Sequence, residues 1–184
     1  MTQNGTQKIE WKWTIALFAA MIAWAIMDVV VEKARANVMR NVSAENSYLC
    51  TGNVNKILIE KSNKKMTLFD DMGCVVKTYD VVTGKNKGPK QCDGDKKTPE
   101  GVYKIVEKRD SKYHKFLALD YPRTKDIKKA KELGCKPGDS IGIHSWIEGL
   151  NRAGSLGCIR VKTKEEILEV NRLVRIGTII EILP

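Results

Sequence analysis

The sequence predicts a mainly β domain with peripheral α-helices, set behind an N-terminal hydrophobic helix. Three observations carry that reading. Residues 13–27 form an uncharged run that is longer and purer than most buried helices of soluble proteins. Beyond residue 56 the apolar pattern shortens to β-type runs at Ile57-Leu58-Ile59, Met66-Thr67-Leu68-Phe69 and residues 75–82, each bounded by turn-forming residues. Only two later stretches, at 124–133 and after Thr163, carry a helical pattern.

Taken in order, residues 1–36 read as a membrane anchor or a signal segment. The uncharged run falls short of the ~20 residues of a comfortable span, but it extends to Val31 if Asp28 is tolerated near its end. Lys8 and Lys12 precede it, and Ala34-Arg35-Ala36 has the small-x-small form of a signal-peptidase site. That site lies well beyond the apolar core, which favours retention as an anchor. Lys33, Arg35 and Arg40 on the far side run against the positive-inside expectation for an outward-facing domain. Residues 37–55 are polar, with Ser43, Asn46, Ser47 and Gly52, and read as a linker; no lipobox precedes Cys50.

Residues 56–184 form the folded domain. Asn63-Lys64-Lys65 and Asp71-Met72-Gly73 supply turns, so the first three strands should run as a meander of hairpins. Residues 85–101 are loop by composition, dense in Lys, Gly and Pro, and 102–106 and 116–119 resume the strand pattern. Tyr121-Pro122 breaks the sheet, and a lysine-rich helix over 124–133 stops at Gly134. Residues 140–144 and 158–161 read as short strands. Thr163-Lys164-Glu165-Glu166 is a capping box that opens a helix with Ile167, Val170 and Val174 on its apolar face, and residues 178–183 close the chain as a strand.

At 184 residues the chain suits one domain with a real core. Its formal charge is +10, of which Lys8, Lys12, Lys33 and Arg35 against Glu10, Asp28 and Glu32 leave only +1 in residues 1–36. Such a surface suits anionic lipid or an anionic cell-wall polymer. Helix-turn-helix, zinc-finger and RNA-binding signatures are missing from the sequence, so nucleic acid is not an expected partner. No Cys-x-x-Cys or histidine pair at ligand spacing occurs, and no metal or organic cofactor is implied.

The chemistry concentrates in residues 141–161. One of two histidines, His144, ends a short apolar run, and Cys158 follows fourteen residues later between Gly157 and Ile159, with Arg160 beyond. A thiol needs a base or a nearby positive charge to act as a nucleophile at neutral pH, and imidazole is well matched to that task. Gly157 lets the backbone approach a reacting carbonyl, and N–H groups around Cys158 offer an oxyanion hole. The other histidine, His114, lies outside this stretch and reads as a surface or structural residue.

This arrangement resembles the signature of the L,D-transpeptidase (YkuD-type) family, a His followed by Ser-x-Gly-Cys-Ile-Arg, matched here by His144, Ser155, Gly157, Cys158, Ile159 and Arg160. An upstream block, Gly94-Asp95-Lys96-Lys97-Thr98-Pro99-Glu100-Gly101, is similar to the family's Gly-Asp-x-x-Thr-Pro-x-Gly segment. Two departures stand out: Ser145 replaces the Gly usual after the first His, and Leu156 replaces a frequent second His. The resemblance implies a β-sandwich of mixed sheets and a cysteine-dependent acyltransferase acting on peptidoglycan stem peptides through a thioester. It implies His144 as base, Ser145, Ser155, Gly157 and Arg160 around the substrate or oxyanion, an extracytoplasmic location in the periplasm or cell envelope, and acylation of Cys158 by carbapenem-type β-lactams. Arg160 either orients substrate or steadies the catalytic turn. Water as acceptor would give a carboxypeptidase or endopeptidase-type hydrolase of the same family, and a different class of reading is a non-catalytic wall-binding module with a basic surface.

Five cysteines, Cys50, Cys74, Cys92, Cys135 and Cys158, suggest one free thiol and up to two disulfides in an oxidising compartment. Cys158 is the one expected to stay free, and the other four allow three connectivities. Cys92 and Cys135 lie in loops flanking the two motifs, where a bridge would brace a cleft.

Overall fold

The computed structural model describes residues 4–47, 50–147 and 153–184, and the chain divides into two units, Met1–Leu49 and Cys50–Pro184. The first is one helix, α1 (Asn4–Ser47). Within it Ile15–Val38 spans 24 residues at a mean hydropathy of 2.1, long and apolar enough to cross a membrane. Leu17, Phe18, Met21 and Trp24 are all exposed on it. The helix also runs through residues 37–47 of the polar segment expected as a linker.

The second unit is built from eight strands and two helices: β1 (Val54–Glu60), β2 (Lys65–Asp70), β3 (Val75–Val82), β4 (Gly101–Ser111), β5 (His114–Leu119), α2 (Thr124–Glu132), β6 (Gly142–Ser145), β7 (Ile159–Val161), α3 (Lys164–Leu173) and β8 (Ile179–Leu183). The expected meander is β1–β3, paired antiparallel through two tight turns. A bulge between Val54 and Lys56 shifts the phase of β1, so that Val54 and Ile57, three residues apart, are both buried. At the far end of β2, Asp70 is 2 % exposed and accepts backbone N–H groups from Thr51, Gly52, Met72 and Cys74. It thereby fastens the start of the unit beside the Cys50–Cys74 disulfide.

The strands are mixed, with β1–β8 and β6–β7 parallel and the remaining pairs antiparallel. Two strands serve both layers of the sandwich. Val75 to Asp80 of β3 lies against β2 while Val81 and Val82 pair with β7, and Gly101 to Lys104 of β4 pairs with β8 while the rest pairs with β5. The eight strands therefore close into a ring, β1-β2-β3-β7-β6-β5-β4-β8, which leaves no free sheet edge among the described residues. Ile57, Ile59, Leu68, Tyr103, Ile143, Ile159 and Ile180 fill its interior. The capping box of α3 forms as expected, with Thr163 Oγ1 accepting from Glu166 N–H and the Glu166 carboxylate accepting from Thr163 N–H. Ile167 and Val170 then bury that helix against β5 and β6, which fixes the strand that carries His144.

Candidate active site

β6 and β7 run parallel and adjacent, with Ile143 opposite Ile159, His144 opposite Arg160 and Ser145 opposite Val161. Because side chains alternate along a strand, His144 and Arg160 share a face, and Cys158, in the turn just before β7, lines the same cavity as both. The parallel pairing thus brings together a base and a thiol separated by fourteen positions in the chain. Both border a cavity of about 500 Å³ whose walls include Arg109, Tyr113, Leu156 and Arg160. Residues 148–152, inside the predicted motif stretch, lie outside the described residues.

His144 is 5 % exposed, and its Nδ1 lies 2.8 Å from the Ser145 carbonyl. A carbonyl only accepts, so Nδ1 carries the proton and Nε2 offers its lone pair. Tyr113 stacks on the imidazole at 4.3 Å between ring centroids, and Phe116 lies beyond at 6.0 Å. Burial holds the His144 pKa down to about 4, with Arg160 adding to the effect and the hydrogen bond to Ser145 opposing it. Burial likewise pushes the half-buried Cys158 thiol up, and the backbone hydrogen bond from Gly142 and the charges of Arg160 and Lys90 only partly pull it back. At neutral pH the resting pair is therefore a neutral imidazole and a protonated thiol, not the preformed thiolate that the sequence pattern alone invites. The thiol donates to the Ser140 carbonyl at 3.4 Å.

The turn before Cys158 is tied from within and from outside. Ser155 Oγ accepts from the Gly157 N–H at 3.0 Å and donates to the Cys158 carbonyl at 2.6 Å. The Gly157 N–H is thus already engaged, and the contribution of Gly157 is its missing side chain. Its φ is +144°, and a Cβ there would sit 2.9 Å from both Ile141 Cδ1 and the Lys97 carbonyl oxygen. From outside, Thr98 Oγ1 donates to the Gly157 carbonyl at 2.7 Å while accepting from Gly84 N–H at 2.8 Å. Ser155 also pairs through its backbone with Thr83 and Lys85.

The upstream motif therefore serves as the scaffold of the cysteine turn. Asp95, its carboxylate, accepts from Gln91, Cys92 and Lys97 N–H groups and from the buried ammonium of Lys90. The Cys92–Cys135 disulfide fastens the same loop to the end of α2. Of the five cysteines, Cys158 is left free.

Ser145 lies away from the cavity, fully buried, with its hydroxyl donating to the Tyr113 carbonyl and contacting His114 Nδ1 at 2.9 Å. Its carbonyl orients His144, which gives it a positioning place. Arg160 is 3 % exposed and borders the cavity. Leu156, where the related pattern often has histidine, is 77 % exposed at the cavity's mouth. Tyr113, Thr98 and Arg109 were not singled out from the sequence as members of the site. Thr98 lies within the upstream motif; the signal for Tyr113 is its place at the turn of the β4–β5 hairpin.

The family model for the L,D-transpeptidase catalytic domain (YkuD) matches residues 55–182. Among solved structures, the chain resembles Bd1075 of Bdellovibrio bacteriovorus at 24% identity and a TM-score of 0.52, over 69% of this chain and 46% of that one. It also resembles the helical cell shape determining protein Pgp2 of Campylobacter jejuni, at 22% identity and a TM-score of 0.56 over 70% and 47% of the two chains. The chain spans about half the length of each of these relatives. No curated protein matches the sequence.

Proposed function

We propose, on the premise that this chain belongs to the L,D-transpeptidase catalytic domain family, that it is a cysteine acyltransferase acting on peptidoglycan stem peptides. The observation that carries the reading is the shared face of β6 and β7, where His144, held by the Ser145 carbonyl, and Cys158 border one cavity. His144 Nε2 takes the thiol proton as Cys158 Sγ attacks the carbonyl between an L-configured centre and the following D-residue. The oxyanion forms beside the Cys158 peptide N–H. Collapse breaks the C–N bond, the imidazolium gives its proton to the departing amine, and a thioester remains on Cys158. An amine of a second stem peptide then attacks the thioester, loses a proton to His144, and expels Cys158, which is reprotonated. Because the resting pair is neutral, proton transfer and attack go together. Arg109, Lys112 and Arg160 around the cavity supply positive charge for the carboxylates of the donor peptide.

In this reading the N-terminal segment anchors the protein in the cytoplasmic membrane through the Ile15–Val38 span, the residues from there to 55 act as a spacer, and residues 56–184 work on the outer side, within the envelope. The two disulfides fit that oxidising compartment. Resemblance to a cell shape determining protein supports a role in wall remodelling.

The test is to incubate the full-length chain in detergent micelles with a disaccharide-tetrapeptide and follow products by mass, with Cys158→Ala in parallel. A dimer lacking one terminal D-residue, absent in the variant, is expected. A shortened monomer alone would make the enzyme a hydrolase, and identical products from the variant would overturn the cysteine mechanism.

A further inference from the structure

A second cavity, about 690 Å³, lies in the same unit and is lined by none of the reacting residues. It opens between the β1–β2 turn and the loop that follows β3, and four lysines, Lys61, Lys64, Lys85 and Lys87, stand around it. Glu100 is the only acidic side chain in its wall among the described residues, and it is already spoken for: Lys61 Nζ lies 2.6 Å from Glu100 Oε1 and also donates to the carbonyls of Gly88 and Thr98. Lys61, with its side chain 8 % exposed, is thus a structural strut. Lys64, Lys85 and Lys87 are exposed and leave the described lining with an excess of positive charge.

This cavity shares a wall with the catalytic one. Thr83 and Lys85 line it or hold its rim, and their backbones clamp Ser155, whose hydroxyl holds Gly157 and Cys158 on the other side. Ala153 faces the basic cavity while Gly154 and Ser155 face the catalytic one. Lysine ammonium groups are mobile point charges without the planar fork of arginine, so they read accumulated negative charge more than the outline of one group. The volume is that of a small-ligand site able to hold several residues of an extended peptide.

We propose that this basic cavity is a second binding site for a peptide bearing several carboxylates, a neighbouring stem peptide of the same polymer, held beside the catalytic turn without reaching Cys158. The proposal rests on the peptidoglycan reading for the identity of the peptide, while the charge argument rests on the cavity alone. Holding a second strand here raises the local concentration of wall polymer at the reacting cleft.

The test uses the full-length Cys158→Ala chain in zwitterionic micelles, which removes turnover. Affinity is measured by calorimetry for a free stem tripeptide with its carboxylates intact, for its fully amidated form, and for polyphosphate as a phosphate-bearing control. Lys64→Gln/Lys87→Gln is compared with the parent; Lys85 is spared because its backbone supports Ser155. The expected result is a loss of affinity for the carboxylated peptide of about 10-fold in the double variant, a similar loss on amidation, and a weakening with added salt. Unchanged affinity in the double variant, or binding of polyphosphate alone, would overturn the assignment. In the Cys158-containing double variant, alkylation of Cys158 by iodoacetamide should keep its parental rate, showing that the catalytic turn is intact. Failure of the catalytic reading would appear instead as products that do not depend on Cys158, with the lysine-dependent binding untouched.

Discussion

The ring contains two parallel strand pairs, β1–β8 and β6–β7, and they are built on opposite principles. In β1–β8 one face is apolar and buried, with Ile57, Ile59, Ile180 and Ile182, and the other meets solvent, where Lys56 and Glu181 pair at 2.8 Å with side chains 45 % and 32 % exposed. In β6–β7 all seven residues are buried, among them His144, Ser145 and Arg160. A pair with a wet face can be stabilised by alternation alone. A pair without one buries polar groups that must each be satisfied, and in the proposed mechanism one of those groups, His144, is the base. Substitutions in β6–β7 should therefore change rate first, and substitutions in β1–β8 should change only stability.

The largest separation is expected at Cys158→Ala. The variant removes the nucleophile and one weak S–H···O contact to Ser140, so product formation and acylation by a carbapenem, read as a mass increment on the intact protein, should vanish. Its thermal midpoint should stay within a degree or two of the parent.

His144→Gln should lower the acylation rate by about 10²- to 10⁴-fold, the usual value of a positioned base. It also tests the sign of a pH effect. The His144 pKa is lowered to about 4 in the folded chain from 6.5, so the unfolded chain binds more protons between those values. Stability is full above pH 6.5 and falls as pH drops toward 4. Between pH 7 and 4.5 the buried imidazole should cost the parent about 2 kcal/mol that the Gln variant does not lose. Urea midpoints of both proteins at the two pH values measure it; equal slopes in parent and variant would show that His144 is not the group held neutral.

Gly157→Ala probes the turn that feeds β7. A Cβ 2.9 Å from the Lys97 carbonyl oxygen and Ile141 Cδ1, at a φ of +144°, has no room without moving the turn. A shift of the order of an ångström displaces Cys158 relative to His144 and should slow acylation roughly 10²-fold. Ile180→Val, the matching change in β1–β8, should cost about 1 kcal/mol and leave the rate untouched. Equal effects on rate from both would erase the distinction between the pairs.

The same contrast explains what the sequence disclosed. Strands β1–β3 were legible because Ile57, Ile59, Met66 and Leu68 alternate with wetter neighbours between turn residues, and α3 because Thr163 and Glu166 form its cap. β6 and β7 have no such alternation, and at four and three residues they were found through the motif around His144 and Cys158. The layers' union through β3 and β4 was not legible, since a strand that changes partners midway has no distinct pattern. Nor was the neutral state of the His144–Cys158 pair, because it is set by burial, and the rings stacked on His144, Tyr113 and Phe116, are remote from it in sequence. The link from Thr98 to Gly157 explains why two motifs fifty-nine residues apart occur together: one is the other's support.

The smallest effect should come from the wet face of β1–β8. Lys56→Ala breaks the ion pair with Glu181, whose charges lie in high dielectric and are free to solvate separately. Loss of stability should be about 0.5 kcal/mol or less, shrinking further in 0.5 M salt, with no change in acylation rate. Lys90, by contrast, is a lysine of the same formal charge whose partner Asp95 anchors the scaffold of the cysteine turn, with side chains only 3 % and 14 % exposed. Lys90→Ala would leave that carboxylate buried beside the Cys92 carbonyl that the ammonium also satisfies, and it should cost several times more stability as well as rate. A pair of lysine deletions with equal consequences would mean that the scaffold behind Cys158 is no more demanding than the outer surface of the ring.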